Sequence, residues 1–180
     1  MKEKWSMLRN FYLYFMLYSV IGWLYEVFLE VVVYRWGFSN RGVLFGPYCP
    51  IYGTAAVIFI LLLTGIKKKT IRVKSMNLTP VVVFFLIVVI STLLELAGSY
   101  IMEALTGGWM WDYTRFAWNF QGRIALNPSL RFGAGGMVFL YLFQPAFEKL
   151  TAIRHQKALS AVTVLALLLF LLDAVTAFLC

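Results

Sequence analysis

The sequence predicts an all-α polytopic membrane protein, a bundle of about five transmembrane helices. Of its 180 residues, 62% are hydrophobic and only 13% are charged, whereas soluble domains are about half apolar and about a quarter charged. Five apolar segments also approach the roughly 20 residues that cross a bilayer core of about 30 Å. Because a water-soluble fold could not bury so much apolar surface, we treat residues 1–180 as a single transmembrane domain.

The predicted spans follow one another along the chain at approximately 11–33, 51–66, 80–105, 132–147 and 158–179. The second and fourth spans are short, and each follows a stretch that contains proline with glycine or asparagine. We therefore expect the backbone to enter the membrane in irregular form before it becomes helical. The first span is too long for a signal-peptide core and lacks a cleavage site, so we expect it to remain in the mature protein.

The net charge of +8 comes from basic clusters between the spans, a pattern typical of membrane topology rather than of nucleic-acid binding. One side of the membrane receives eleven basic residues, namely Lys2, Lys4, Arg9, Lys67, Lys68, Lys69, Arg72, Lys74, Lys149, Arg154 and Lys157. The other side receives Arg35, Arg41, Arg115, Arg123 and Arg131. The positive-inside rule then places the N-terminus in the cytoplasm and the C-terminus outside, with loops 34–50 and 106–131 external.

Two spans carry polar residues at steps of four, which lie along one helix face. These stripes are Tyr18, Gly22, Glu26 and Glu30 in the first span, and Ser91, Glu95, Ser99 and Glu103 in the third. A carboxylate in the hydrocarbon costs about 2.5–3.5 kcal/mol on insertion scales, so such residues face a bundle interior or a water-filled cavity. We expect Glu26 and Glu95 to do so in the outer part of the membrane.

The external arginines Arg41, Arg123 and Arg131 are close enough in sequence to fold back onto these acids as a network of charge-assisted hydrogen bonds. Such a network either binds substrate or only locks the helical hairpins together. Asp112 and Asn119 lie in an external aromatic segment that either anchors at the membrane interface or covers a pocket. The candidate site is therefore Glu26, Glu30, Arg41, Glu95, Glu103, Asp112, Asn119, Arg123 and Arg131, and Asp173 of the fifth span is a further candidate.

A weak internal repeat relates the first two spans to the next two. Glu26 corresponds to Glu95, and Gly53, which opens the second span, corresponds to Gly133, which opens the fourth. Both hairpins run in the same direction, so the prediction is a parallel two-hairpin repeat, an arrangement known in transporters. Chance similarity between apolar stretches is the alternative interpretation.

Motifs for metal binding and for common catalytic chemistries are absent. Cys49 and Cys180 support neither a disulfide framework nor a metal site, and His155 lies in a basic loop where it is expected to be solvated. The chain has no phosphate-binding loop, nucleophile elbow or zinc-binding His-Glu-x-x-His motif. We therefore predict no cofactor and no metal, and we do not expect the chain to hydrolyse ATP by itself.

Several separated blocks resemble one known family across roughly residues 11–145. They are Gly22-Trp23-x-x-Glu26, Arg41-Gly42-x-x-x-Gly46-Pro47-x-x-Pro50-Ile51-Tyr52-Gly53, Leu94-Glu95, Met102-Glu103, Trp111-Asp112-Tyr113 and Asn119-x-Gln121-Gly122-Arg123-Ile124. Together they resemble the ABC-transporter type IV family, whose members are labelled CmpB-like permeases of bacterial inner membranes. The resemblance implies a separate ATPase partner and the passage of a solute across the membrane.

Three functions remain open from the sequence. The first is a permease subunit of an ABC-type or related transporter, working as a homodimer or in a larger complex because five helices alone make a narrow pathway. The second is an intramembrane enzyme that acts on a lipid or cell-envelope precursor, with a glutamate as general acid or base. The third is a non-catalytic scaffold or sensor whose buried charges are structural. In each case the chain is surrounded by membrane lipid, and no nucleic-acid partner is expected.

Overall fold

The computed structural model describes residues 2–152 and 155–179, except for the side chains of Lys2 and Phe178. Its helices are α1 (Lys2–Phe28), α2 (Pro50–Lys67), α3 (Thr79–Thr106), α4 (Leu126–Val138), α5 (Gln144–Thr151) and α6 (Gln156–Leu179). A π-helical turn, Leu29–Val33, prolongs α1, and a second one, Phe139–Phe143, joins α4 to α5. Arg154 and Cys180, both considered above, lie outside the described residues.

The only strands in the described residues form two short antiparallel hairpins. The first pairs β1 (Arg72–Val73) with β2 (Met76–Asn77), and the second pairs β3 (Asn119–Phe120) with β4 (Ile124–Ala125). Each hairpin is a two-stranded turn between helices rather than part of a larger sheet. The helical fold class predicted from the sequence is therefore confirmed.

Four described helices are long and apolar enough to cross a membrane: Glu3–Val33, Pro50–Lys67, Thr79–Thr106 and Gln156–Ala177. The remaining predicted span, 132–147, lies inside the continuous helical run from α4 to α5 but is not among these four. Arg131 near its start and the Gln144-Pro145 pair near its end interrupt the apolar sequence. By length and composition the protein is thus a membrane protein with four clear spanning helices and one more polar helical run.

The ends of α3 follow from its sequence. Pro80 occupies its first turn, where a missing N–H costs no intrahelical hydrogen bond. At the other end Gly107 adopts a left-handed conformation with φ 79°, and its N–H donates to Glu103 O at 2.9 Å. These two residues confine the helix to almost the same range that the apolar pattern predicts.

The described residues fall into two compact units, and in the first of them, residues 1–57 and 147–180, α1 packs against α6. The ring of Phe15 meets the ring of Phe170 edge to face at 5.6 Å between centroids. Tyr14 OH and Thr151 Oγ1 are hydrogen-bonded at 2.9 Å. Helix α2 also begins close to α1, because a Cβ on Gly53 would collide with the Phe15 carbonyl oxygen and the Ser19 hydroxyl.

In the second unit, residues 58–146, α3 packs along α4. Val83 and Ile87 of α3 are fully buried. A Cβ on Gly133 would lie 2.5 Å from Val88 Cγ2, whereas one on Gly135 would meet nothing within 4 Å. Small residues on one face of α4 therefore allow a close approach to α3, as is common where membrane helices cross.

Candidate functional site

A buried glutamate, Glu30, forms an ion pair in the first unit with Arg41, whose side chain is 26% exposed. The π-helical turn carries Glu30, which is only 6% exposed. Arg41 Nη2 lies 2.8 Å from Glu30 Oε1, and the Ser39 hydroxyl donates to the same carboxylate at 2.8 Å. The loop after α1 therefore folds back onto its last turn, and the acid is neutralised by a charge-assisted contact.

Glu26, one turn earlier in α1, has a neutral partner. The hydroxyl of Tyr52, from the first turn of α2, donates to Glu26 Oε1. The Tyr52 ring lies directly over Gly22, where any side chain would collide with it. Gly22 thus makes room for the tyrosine that binds Glu26, which explains why a glycine occupies the polar stripe of α1.

The polar stripe of α3 is buried in the second unit. Ser91, Glu95 and Ser99 are respectively 6%, 7% and 0% exposed, although the helix is apolar enough to span a membrane. Tyr113, from the loop after α3, donates its hydroxyl to Glu95 Oε1 at 2.8 Å. The stripe therefore faces the protein interior, as expected for polar groups in a membrane helix.

Arg123 lies at the Glu103 end of this stripe and is 5% exposed. Its guanidinium donates to Ser99 Oγ at 3.2 Å and forms a salt bridge with Glu103. The guanidinium also lies between two aromatic rings, 4.2 Å from the centroid of Tyr100 and 3.9 Å from that of Trp109. Ionic, hydrogen-bonding and cation–π contacts thus hold one arginine in a desolvated position.

Arg41 and Arg123 each keep one buried donor without an acceptor. In the described residues, the Nε atoms of Arg41 and Arg123 are buried and have no hydrogen-bond partner. A buried donor without an acceptor costs about 1–3 kcal/mol. Each cluster therefore has an unused N–H group that a bound ligand could satisfy.

Asp112 and Asn119 shape the loop that carries Arg123. Asp112 accepts hydrogen bonds from the backbone N–H and the hydroxyl of Thr114, which lower the pKa of this exposed carboxyl. Asn119 donates to Phe116 O at 2.8 Å and accepts from Gly122 N at 3.1 Å. These two predicted site residues hold the loop in shape and do not contact the buried acids directly.

Arg131 is separate from both clusters. It lies exposed on α4, and no hydrogen bond or salt bridge joins it to another residue of the described chain. Asp173 of α6 instead binds the loop between α1 and α2, accepting hydrogen bonds from the backbone N–H groups of Phe45 and Gly46 at 3.0 and 2.7 Å. Tyr48 OH is a third donor to Asp173, and burial together with this bond raises the pKa of Tyr48.

Sequence reasoning missed the partners Tyr52, Tyr113 and Ser39, and it also missed Arg9. Arg9 is 3% exposed and donates to Gln156 Oε1 at 2.5 Å and to Ser160 Oγ at 3.4 Å. It joins α1 to the start of α6 in the first unit. The sequence signal for this contact is an arginine at the edge of an apolar helix. The positive-inside rule explains the same arginine as one of the basic residues that flank a membrane span, so the contact was not predicted.

The two units hold similar contacts, although among the charged residues the predicted repeat relates only Glu26 to Glu95 and Arg41 to Arg123, and the tyrosine donors and the arginine-paired glutamates occupy different positions in the two hairpins. In each unit a glutamate in the first helix of a hairpin accepts a tyrosine hydroxyl, Glu26 in one unit and Glu95 in the other. A later glutamate in each pairs with an arginine from the following loop. The repeat itself remains a prediction, and these matching contacts are consistent with it.

Metal binding finds no support in the described residues, where no group of three or more histidine, cysteine, aspartate or glutamate side chains could hold an ion. Cys49 is buried and forms no disulfide there. His155 is exposed.

A family model described as "Putative ABC-transporter type IV" matches residues 13–178. This match covers almost the whole chain, including both polar clusters. No curated protein and no solved structure matches the sequence.

Proposed function

We propose, because the chain belongs to the ABC-transporter type IV family, that it is the membrane-spanning permease subunit of an ABC-type or related transporter. Its surroundings would be the lipid of a bacterial inner membrane. The N-terminus would lie in the cytoplasm and the C-terminus outside, as the distribution of basic residues indicates. Bacterial alkaline phosphatase becomes active only when it is exported, so a fusion to the C-terminus should be active, and an inactive fusion would contradict this orientation.

The observation that supports a solute-binding role best is the pair of unused arginine donors. Arg41 and Arg123 are each neutralised by a glutamate, yet each retains a buried Nε–H without an acceptor. A purely structural ion pair is expected to satisfy its buried donors, since leaving one unmade is costly. We infer that the solute carries acceptor oxygens, such as a carboxylate or phosphate, that complete these contacts.

The roles within the site divide by chemistry. Within each unit by itself, the arginine (Arg41 in the first, Arg123 in the second) would bind acceptor oxygens of a solute, and the paired glutamate (Glu30 or Glu103) would hold the guanidinium group in orientation. Glu95 and Glu26, each of which accepts a tyrosine hydroxyl, are the second acidic residue of each cluster, and they would respond to solute binding. Movement that opens the buried clusters to one side of the membrane and then to the other would expose the site alternately.

The energy for this movement would come from a partner, because the chain carries no phosphate-binding loop. We propose a separate ATPase subunit, and we propose that the permease forms a homodimer or joins a larger complex. The test is to purify the tagged full-length chain from its native membrane under mild detergent and to identify co-purifying proteins. Recovery of a stoichiometric ATPase whose activity depends on this chain is expected.

Two other results would contradict the proposal. If the pure chain alone converts an added lipid or envelope precursor into product without ATP, it is an intramembrane enzyme. If the chain is recovered without an ATPase, and neutralising Arg41 or Arg123 lowers only its stability, the charges are structural and the protein is a scaffold or sensor.

A further inference from the structure

The segment between α1 and α2 runs back along α1 in the first unit. Arg9 of α1 donates to the side chain of Gln156, the first residue of α6, so this contact joins the starts of the two helices. The backbone N–H of Cys49 donates to Ser19 O of α1 at 2.9 Å. At a rise of 1.5 Å per residue, Ser19 lies about 15 Å along α1 from Arg9, whereas Val33 lies about 36 Å from it. The chain therefore descends about 21 Å along α1 before α2 begins.

This descent reaches the depth of the hydrocarbon core. Both α1 and α6 are long and apolar enough to cross a membrane, and their apolar sequence begins just after the Arg9 contact. That contact therefore marks one edge of a core about 30 Å thick, and Cys49 lies near its middle. Asp173, about 26 Å along α6, accepts hydrogen bonds from the N–H groups of residues 45 and 46 at 3.0 and 2.7 Å. Residues 45–49 therefore lie within the thickness of the core.

The backbone N–H groups of residues 45–49 are bonded to the protein rather than left for water. The first two donate to Asp173, those of Tyr48 and Cys49 donate to backbone oxygens, and the proline between them has no N–H. The side-chain amide of Asn40 donates to two neighbouring carbonyl oxygens at 3.1 and 3.0 Å. Side chains thus replace the hydrogen bonds of a regular helix, which is the condition under which irregular backbone is tolerated at membrane depth.

The side chains of this segment alternate between the protein interior and the outside. Leu44 and Tyr48 are buried, whereas Val43, Phe45 and Pro47 are exposed, Phe45 by 71%. Each outward-facing side chain here is therefore apolar. Such a surface is unfavourable in water and favourable in hydrocarbon.

We propose that residues 43–49 form a re-entrant segment inside the bilayer, with its outward-facing side chains among lipid acyl chains and with Asp173 holding its backbone in place. Lipid hydrocarbon is the partner that fits this surface, because the surface is apolar, lies at membrane depth and has its N–H groups bonded to the protein.

The proposal changes the topology that the basic residues predict, because only the first part of the loop 34–50 is then external. Helix α2 begins inside the membrane, as the broken helices of transporters do. The proposal does not depend on the transport role, since it rests on contacts within the first unit alone.

The test is spin labelling of single-cysteine variants of the full-length protein in liposomes, in a background with Cys49→Ala and Cys180→Ser. A nitroxide is attached at Phe45→Cys, Leu172→Cys or Ser75→Cys, and its collision rates with oxygen and with a water-soluble nickel chelate are measured. Leu172 of α6, 61% exposed, is the lipid control, and Ser75, exposed in the turn of the β1–β2 hairpin, is the aqueous control.

We expect the ratio of oxygen to chelate collisions at residue 45 to match that at residue 172. Both ratios should exceed the ratio at residue 75 by at least about tenfold, because a polar chelate is excluded from hydrocarbon. A ratio at residue 45 that equals the ratio at residue 75 would overturn the proposal, since the segment would then lie in water.

Asp173→Leu tests the anchor, because two backbone N–H groups lose their acceptor. The chelate collision rate at residue 45 should then rise at least about tenfold as the segment leaves the hydrocarbon, while the label at residue 172 should report an unchanged depth. Asp173→Asn, which keeps an acceptor oxygen, should give a smaller rise.

Thr176→Val is the matched control on the same helix, since its hydroxyl donates to carbonyl oxygens of α6. It should leave residue 45 at the same depth. Unchanged chelate collisions in Asp173→Leu, or an equal rise in Thr176→Val, would show that Asp173 does not hold the segment.

Discussion

The guanidinium of Arg123 combines three kinds of contact in one buried position: an ion pair with Glu103, a hydrogen bond to Ser99, and two aromatic faces. Glu103 is itself 43% exposed at its side chain. The ion pair is therefore partly screened by solvent, and we attribute much of the stabilisation to Ser99 and to the rings.

Replacing Arg123 by glutamine should reduce the free energy of unfolding by about 1–3 kcal/mol, because buried polar partners lose their donor. Thermal unfolding of the purified protein in one fixed detergent measures the change. Arg72→Gln, which removes an exposed arginine of the same unit, should unfold like the wild type. An unchanged unfolding temperature for Arg123→Gln would show that the cluster does not stabilise the fold.

Cys49 gives a second prediction for a single residue. Its thiol is 5% exposed, and burial, together with the charge of Glu26, raises its pKa to about 12, although Arg41 acts in the opposite direction. Since only the thiolate reacts, and the ordinary pKa here is 9.0, the thiolate fraction at pH 8 falls about a thousandfold.

We therefore expect N-ethylmaleimide to label the folded Cys180→Ser protein far more slowly at pH 8 than the same protein unfolded in dodecyl sulfate. Between about pH 7 and pH 9 the rate should rise about tenfold per pH unit without levelling off, because the raised pKa keeps the thiol protonated over this range. Rapid labelling of the folded protein would mean that Cys49 is exposed.

At the scale of elements, the contact between α3 and α4 depends on glycine. Gly133 faces Val88 and Phe84 of α3, with no room for a Cβ, whereas Gly135 faces open space. Both positions are helical, so the same substitution at each isolates the effect of packing from that of helix propensity.

Gly133→Ala should destabilise the protein by about 1–3 kcal/mol through overpacking. Gly135→Ala should be neutral or stabilising by up to about 1 kcal/mol, since alanine favours the helix. Chemical unfolding of the two variants in the same micelles measures the difference. Equal stabilities would contradict the close approach of α3 and α4.

The contact between Asp173 and the loop before α2 gives a prediction about local order. Asp173→Asn removes the charge that assists hydrogen bonds from the N–H groups of Phe45 and Gly46. Hydrogen exchange at these two amides should accelerate about tenfold, because their opening costs less free energy. The amide of Gly122, bonded to Asn119 in the other unit, is the internal control, and unchanged exchange at all three would exclude the contact.

The sequence predicts the position of α3 within one residue at each end, 80–105 against Thr79–Thr106, because proline and glycine mark its ends. It misses the first nine residues of α1, where polar side chains alternate with apolar ones and the hydropathy pattern is weak. It also treats 132–147 as a short span, whereas the helix begins earlier and is interrupted by a π-helical turn. The hydropathy pattern, which predicts continuous helix here, contains no signal for either π-helical turn.

For the candidate site, sequence reasoning identifies the acids and arginines as residue types that apolar helices rarely carry. Which arginine pairs with which glutamate depends on how the irregular loops fold back onto the helices. The periodicity of the sequence holds no information about this pairing. Arg131 is exposed and does not pair with the acidic residues. The tyrosines that donate to Glu26 and Glu95 were missed because tyrosine at these positions is equally typical of the aromatic belt at a membrane interface.

At the scale of the whole molecule, the protein is a helical membrane protein of the ABC-transporter type IV family with a buried polar cluster in each compact unit. Charges in such helices are costly, and in each unit an arginine–glutamate pair and a tyrosine donor accommodate them. The proposed permease role, with a separate ATPase partner, would give these buried charges a function in binding solute.

The most direct measurement is ATP-dependent solute uptake into vesicles that contain the complete transporter, followed by untargeted mass spectrometry of the vesicle contents. We predict that at least one solute with carboxylate or phosphate oxygens accumulates with the wild type and with Glu3→Gln, an exposed residue at the start of α1. Accumulation should fall at least tenfold with Glu95→Gln at equal amounts of folded protein. Undiminished uptake by Glu95→Gln, or no solute that depends on the chain, would contradict the assignment.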